Sequence, residues 1–179
     1  MRRKKICHGC RHFFRPKVKD PSYIRWCSPE CGVKVAMKGV IKAKKRQDKK
    51  RLAELKPISH WLNETQKVFN EFIRLRDVDE GCISCGTRRS VQFCAGHFRT
   101  RGAAGHLRFD EGNVHKQCNK NCNLSLSGNI ANYRPRLIKK IGLEAVEALE
   151  NDNKPKSWTR EELSDLRKHY RQLIKGMIE

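Results

Sequence analysis

Apolar residues recur at helical spacing most clearly in two long stretches of the chain. From Ser59 the run SHWLNETQKVFNEFIRLRD sets Trp61, Leu62, Thr65, Val68, Phe69, Phe72, Ile73 and Leu75 on one side. This predicts an amphipathic helix, N-capped by Ser59, whose stripe is wide enough to pack on a core. Near the other end, SWTREELSDLRKHYRQLIKGMI repeats the pattern with Leu163, Leu166, Tyr170, Leu173, Ile174 and Met177, opened by a Thr159-x-x-Glu162 capping box. That second face could pack on the core or form a seam between two subunits, and the pattern does not choose. YRPRLIKKIG and GLEAVEALEND read as two shorter helices before it. Between the long stretches, Val91 to Phe98 reads as a strand, RTRGAAGHLRFDEG as a loop with three glycines, Asn113 to Gln117 as the returning strand, and Asn119 to Arg134 as a helix.

Ahead of Ser59 the pattern is different. Val33, Met37, Val40 and Ile41 are followed by a polar gap over 42–51 and then Leu52 and Leu55, so no continuous buried stripe is expected. The segment 34–58 reads as an exposed basic helix or a partly ordered linker, ended by Pro57. Residues 1–33 are too few for an apolar core of their own. Phe13, Phe14, Tyr23, Ile24 and Trp26 would have to gather around a metal. Arg11, Arg15, Lys17 and Lys19 in the same stretch favour DNA as its partner.

Composition explains why metal is needed. Only 37% of the 179 residues are hydrophobic, and nine are cysteine. The opening MRRKKICHGC has no apolar stretch behind its basic start, and no run is long enough to cross a bilayer, so a cytoplasmic location is expected. Thiols stay reduced there, and closely paired cysteines favour metal over disulfides. Cys7-x2-Cys10 with Cys27-x3-Cys31, and Cys82-x2-Cys85 with Cys118-x3-Cys122, each supply four thiolates for a closed structural zinc site. The net charge of +21 is concentrated at the N-terminal end, where residues 1–56 carry 19 basic and 4 acidic side chains. A nucleic-acid backbone is the expected partner. Candidate phosphate contacts are Lys44, Lys45 and Arg46 on the basic segment and Arg99, Arg101 and Arg108 beside the second cysteine set. An anionic membrane fits less well, because the basic segment has little apolar face to insert.

Three residues inside the second cysteine bracket carry candidate chemistry. His97 suits a general base, since an unperturbed imidazole is largely neutral at cytoplasmic pH. Asn123, directly after Cys122, offers the hard amide oxygen that Mg²⁺ or Mn²⁺ prefers over sulfur. Asn113 could fix the loop that presents the histidine. The order His97, Asn113, Asn123 resembles the HNH, or His-Me finger, nucleases in their H-N-N form. FNEFIRLRD, CISCG, AGHFRTRGAAGHLRF and NVHKQCNKNCNLSLSGN closely resemble the phage lambda NinG (Rap) family. That resemblance implies a structure-specific endonuclease of a phage, acting in the bacterial host cytoplasm on branched DNA such as Holliday junctions and D-loops. It implies the base role for His97, loop fixing for Asn113 and metal ligation for Asn123. One departure stands out: many HNH nucleases place an acidic ligand directly before the base, where this chain has Gly96. His115, Asp110, His106, Cys94 and Asn129 are the candidates for a second ligand; Asp110 is chemically best for a hard ion, while His115 sits nearer to the frame.

The expected fold is α+β: an N-terminal four-cysteine zinc module (1–33), the basic helix or linker (34–58), a zinc-stabilised ββα-metal nuclease core (59–135) and a helical segment (136–179). A pair of subunits could meet a two-fold junction. The rivals are a zinc-dependent DNA-binding recombination accessory with an inert core, and an RNA-binding zinc protein.

Overall fold

The stripe read from Ser59 folds as one long helix, but it begins a residue before that serine. In the computed structural model, which describes residues 4–16, 24–89 and 92–179, this helix spans Ile58–Arg76 with Pro57 as its N-cap. Pro57 supplies a fixed φ of −66° and no side-chain cap, so Ser59 lies inside the first turn and caps nothing. Lys17, Lys19, Tyr23 and Val91, used in the sequence reading, lie outside the described residues.

The chain divides into two compact units, Met1–Lys56 and Pro57–Glu179. In the first, strands β1 (Lys5–Ile6) and β2 (Phe13–Phe14) pair antiparallel and lead to helix α1 (Pro29–Glu54). Ser28 caps α1, accepting a hydrogen bond from Cys31 N at 3.3 Å, and Pro29 opens its first turn. Among the described residues the expected aromatic core is loose, with Phe14 and Ile24 only half-buried. Phe13 is 69% exposed and Trp26 is 38% exposed, and Cys7, Cys31 and Pro16 are the buried residues among those described in this unit. A stretch this short cannot enclose large rings on all sides. The residues 34–54 continue α1 unbroken, and Val33, Met37, Val40, Ile41 and Leu52 are all exposed along it.

In the second unit, α2 is the helix Ile58–Arg76, and the C-terminal helix α5 (Arg160–Ile178) lies along it with its Thr159–Glu162 capping box formed. Phe69, Phe72, Ile73, Leu163 and Tyr170 make the buried seam, with Leu166, Leu173 and Ile174 partly buried against it. Phe69 is completely buried, and taking it out of water contributes roughly 2–3 kcal/mol. The apolar face of α5 therefore belongs to the core. Thr65 Oγ1 donates to Leu163 O at 2.9 Å within the seam, which satisfies a hydroxyl that would otherwise be buried at a cost.

Strands β3 (Phe93–His97) and β4 (Val114–Cys118) form an antiparallel hairpin, with Gly96 opposite His115 and His97 opposite Val114. The loop joining them holds a short 3₁₀ turn, Gly105–Phe109. One face of the hairpin meets α2, through Ala95, Val114 and Phe109. The other face meets Tyr133 of helix α3 (Ile130–Ile141), and α3 packs in turn with α4 (Leu143–Asn151) around Phe98, Leu107, Leu137 and Val146.

The helix expected over Asn119–Arg134 is two structures. Asn119–Ser125 is a wide π-helical turn, and α3 starts only at Ile130. Ser127 (φ 48°), Gly128 (φ 90°) and Asn129 (φ 47°) stand between them in the left-handed region, which stops a right-handed helix. None of the helices among the described residues is long and apolar enough to cross a membrane.

Candidate active site

Both cysteine sets converge. In Cys7, Cys10, Cys27 and Cys31, and again in Cys82, Cys85, Cys118 and Cys122, the four Sγ atoms lie within 4.8 Å of one another. Four sulfurs bound at about 2.3 Å around a tetrahedral centre stand about 3.8 Å apart. The observed separations of 3.5 Å (Cys10–Cys27), 3.6 Å (Cys27–Cys31) and 3.8 Å (Cys85–Cys118) suit such an ion, and each set can hold zinc. His8 and His12 flank the first cysteine pair and could compete as ligands, but both are exposed and belong to neither group. Burial raises the Cys7 thiol, but backbone N–H groups of Cys10, Cys27 and Gly9 aimed at its sulfur bring it down to about 6, toward the thiolate that zinc requires.

The second cluster also positions the chemistry. Cys82 and Cys85 sit on a tight turn, Cys118 ends β4, and Cys122 lies inside the π-helical turn. Asn123 follows Cys122 directly, so an ion held by the four thiolates would fix the amide as well. Asn123 Nδ2 leans on Asn119 Oδ1 at 3.4 Å, and its Oδ1 makes no hydrogen bond among the described residues.

His97 closes β3. Its Nε2 lies 3.1 Å from Arg108 O; a carbonyl only accepts, so Nε2 carries the proton and Nδ1 keeps the lone pair. Burial, and then the positive charges of Arg101 and Arg108, push the imidazole down to about 4 despite that hydrogen bond. The ring is neutral at physiological pH. Asn113 is completely buried beneath the loop. Its Oδ1 accepts from Arg99 N at 2.8 Å, while Nδ2 donates to Arg99 O at 3.0 Å and to Leu107 O at 3.1 Å. It staples the segment after His97 to the 3₁₀ turn.

His97 and Asn123 line a single cavity of about 430 Å³, together with Gln66, Asn70, Cys94, Thr100 and Arg101. Arg101 is exposed at this cavity, while the Arg108 guanidinium turns to Gln66 Oε1 at 2.7 Å. Arg99 points elsewhere, donating to Leu149 O and Asp152 O past the end of α4. Lys44, Lys45 and Arg46 are exposed on α1.

His115 is not brought to the cavity. It is buried on the opposite face of the hairpin, where burial pushes it down to about 3, and its Nδ1 donates to the Tyr133 hydroxyl at 3.2 Å, which donates onward to Gly96 O at 3.1 Å. Asp110 Oδ1 accepts from Asn113 N at 2.8 Å, and His106 Nε2 lies 2.9 Å from Asp152 O. Asn129 Nδ2 donates to Cys122 Sγ at 3.4 Å. Cys94 does reach the cavity, but burial pushes its thiol up to about 11 and it donates to Gln117 O at 3.4 Å. The polar residues of α2 that line the cavity, Gln66 and Asn70, escaped the sequence reading because they flank an apolar stripe and look like solvated positions.

Features of this kind define a class: small α+β proteins in which thiolate clusters hold together what apolar burial does not. The comparison with protein families then goes further. The family model described as Bacteriophage Lambda NinG protein matches residues 1–179, and the chain belongs to that family. It is 43% identical to Protein ninG of Salmonella phage P22, over 94% of this chain and 90% of that protein. Protein ninG of Escherichia phage lambda is also 43% identical, over 94% of this chain and 89% of that one. For Escherichia phage 933W the identity is 42%, covering 97% and 94%. No solved structure matches significantly.

Proposed function

We propose that this chain is a metal-dependent endonuclease with an HNH-type core that cuts branched DNA. The observation that carries the reading is the single cavity lined by both His97 and Asn123, with Arg101 exposed beside them. His97 Nδ1 would take the proton from a water attacking phosphorus in line, since the other ring nitrogen is held by Arg108 O. Asn113 keeps the imidazole and its loop in register, and Arg101 would draw a phosphate toward them. Asn123 Oδ1, a hard oxygen without a partner among the described residues, fits Mg²⁺ or Mn²⁺. When bound, such an ion would stabilise charge on the scissile phosphate and the departing 3′ oxygen. Affinity would come from the basic face of α1, and branch selectivity from shape or from two subunits meeting a two-fold junction.

The test is a labelled four-way junction incubated with Mg²⁺ or Mn²⁺. Wild-type chain should nick it, and His97→Ala should slow nicking by about 10²-fold or more. Equal nicking by His97→Ala would remove the histidine from the mechanism. Tight binding without nicking by the wild type would favour a non-catalytic recombination accessory, which Gly96 in place of an acidic neighbour would suit. A preference for single-stranded RNA would point to the RNA-binding alternative.

A further inference from the structure

A second cavity, of about 350 Å³, lies against the turn that carries Cys82, and Arg88, Arg136, Lys139 and Lys140 line it with Glu80 as its acidic side chain. The charges in it do not cancel. Lys140 Nζ is taken by Glu80 at 2.5 Å and by Asp77 at 3.3 Å, so that lysine is balanced. Arg88, Arg136 and Lys139 are exposed and have no hydrogen-bond or ion-pair partner among the described residues. Arg136 and Lys139 stand three residues apart on α3, which makes them neighbours on its surface. The Arg136 guanidinium is also seated. A Cβ on Gly86 would lie 2.6 Å from its Nη1, 2.9 Å from Nη2 and 3.0 Å from Cζ, so the group rests where any larger residue would begin its side chain. The φ of 76° at Gly86 favours glycine independently. Gly86 N donates to Cys82 O at 2.7 Å and Cys82 N to Thr87 O at 2.8 Å, which closes the turn on which the guanidinium rests.

This cavity and the one holding His97 share no lining residue. They belong to opposite faces of the β3–β4 hairpin. Helix α2, which contributes Gln66 and Asn70 to the His97 cavity, packs on one face, and α3, which contributes Arg136 and Lys139 here, meets the other through Tyr133. Three unpaired cations around a concave seat suit a phosphate, with Arg136 presenting a planar fork of donors. A straight duplex whose scissile strand sits at His97 leaves the far face of the hairpin uncovered, whereas a branched molecule has another arm to lay there. Resting on the reading of branched DNA as the substrate, we propose that Arg88, Arg136 and Lys139 hold the phosphate backbone of a second arm, on the hairpin face away from the cut. Such contacts read no bases. They select branching because the second arm is tethered to the first and binds at a high effective concentration, while a separate duplex gains nothing from them.

Fluorescence anisotropy of the full chain tests this, with both zinc sites loaded and Mg²⁺ and Mn²⁺ left out so that nothing is cut. The probes are a labelled four-way junction and a linear duplex of the same arm sequence. Arg88→Ala, Arg136→Ala and Lys139→Ala together should weaken junction binding by about tenfold or more and lower its salt slope by up to about 2.7, while duplex binding stays within about twofold of wild type. Junction affinity equal to wild type would overturn the proposal and leave the branched-substrate reading standing. An equal loss on both DNAs would overturn it too, by making these side chains general phosphate contacts. A wild-type chain that binds the junction no better than the duplex would remove the branched-substrate reading, and the second arm with it. Should the triple variant lose zinc or fail to fold, lysine acetylation of the wild-type chain, read by mass spectrometry, decides. Protection of Lys139 by the junction and not by the duplex supports the second arm. Equal labelling with and without the junction, or equal protection by both DNAs, overturns it.

Discussion

The His97 ring is useful only while Nδ1 keeps its lone pair, and two local facts protect it: the hydrogen bond from Nε2 to Arg108 O, and burial that pushes the imidazole down to about 4. Nitrogen-15 spectra should show a neutral ring with the proton on Nε2 throughout the range from pH 8 down to about 5. A ring that protonates near 6.5, the value of an exposed histidine, would sink this assignment. The sign for stability follows. The unfolded ring takes up a proton below about 6.5 while the folded one does not, so this residue's contribution is lost as pH falls from there toward the folded value. His97 and Asn123 were legible as candidates because each stands at a fixed offset from a cysteine pair that must converge on one ion. The direction of His115 was not. Every residue of β4 is buried, so no alternation of polar and apolar residues told which face its side chains take. The sequence could place His115 near the frame but could not tell that it faces Tyr133, away from the cavity.

At the scale of elements, one carboxylate ties three of them. Asp77, just past the end of α2, accepts from Arg76 Nε at 2.8 Å, from Lys116 N in β4 at 2.9 Å and from Lys140 Nζ in α3 at 3.3 Å. Burial raises its pKa, but Arg76, the Lys116 amide and Lys140 outweigh it and hold the carboxyl below its usual range. Asp77→Asn should destabilise the fold by about 3 kcal/mol, because it strips a buried charge from partners arranged for it. The contribution is fully present above about pH 3.9 and is lost as pH falls through the depressed native value. Urea unfolding should therefore give a constant gap between wild type and variant from pH 8 to 5, closing only in stronger acid. An equal stability at neutral pH would mean that the tie is dispensable. This link was invisible in the sequence, since Asp77, Lys116 and Lys140 have no periodic relation. Helices α2 and α5 were readable because their apolar residues repeat with the helical period along a single stripe. The break at Ser127–Asn129 was legible as a Ser-Gly-Asn turn signal, and extending one helix from Asn119 to Arg134 ran over it.

For the molecule as a whole, charge is the property that most constrains its partners. Residues 1–56 hold 19 basic side chains against 4 acidic ones, and much of that excess lies on α1, where Lys44, Lys45 and Arg46 are exposed. A helix of 26 residues is about 39 Å long, and duplex DNA presents a phosphate charge roughly every 1.7 Å along its axis. Each cation that meets a phosphate releases a counterion and steepens the fall of affinity with salt by about 0.9 in the double-logarithmic slope. Replacing Lys44, Lys45 and Arg46 together by alanine should lower that slope by up to about 2.7 if all three touch the backbone. The loss of affinity should be similar for linear duplex and four-way junction, because phosphate contacts carry no information about branching. Filter binding across a salt series on both substrates measures it. A slope that does not change would move the anion-binding surface off this part of α1. A loss confined to the junction would instead give these three side chains a part in recognising the branch, which their exposure along one regular helix does not favour.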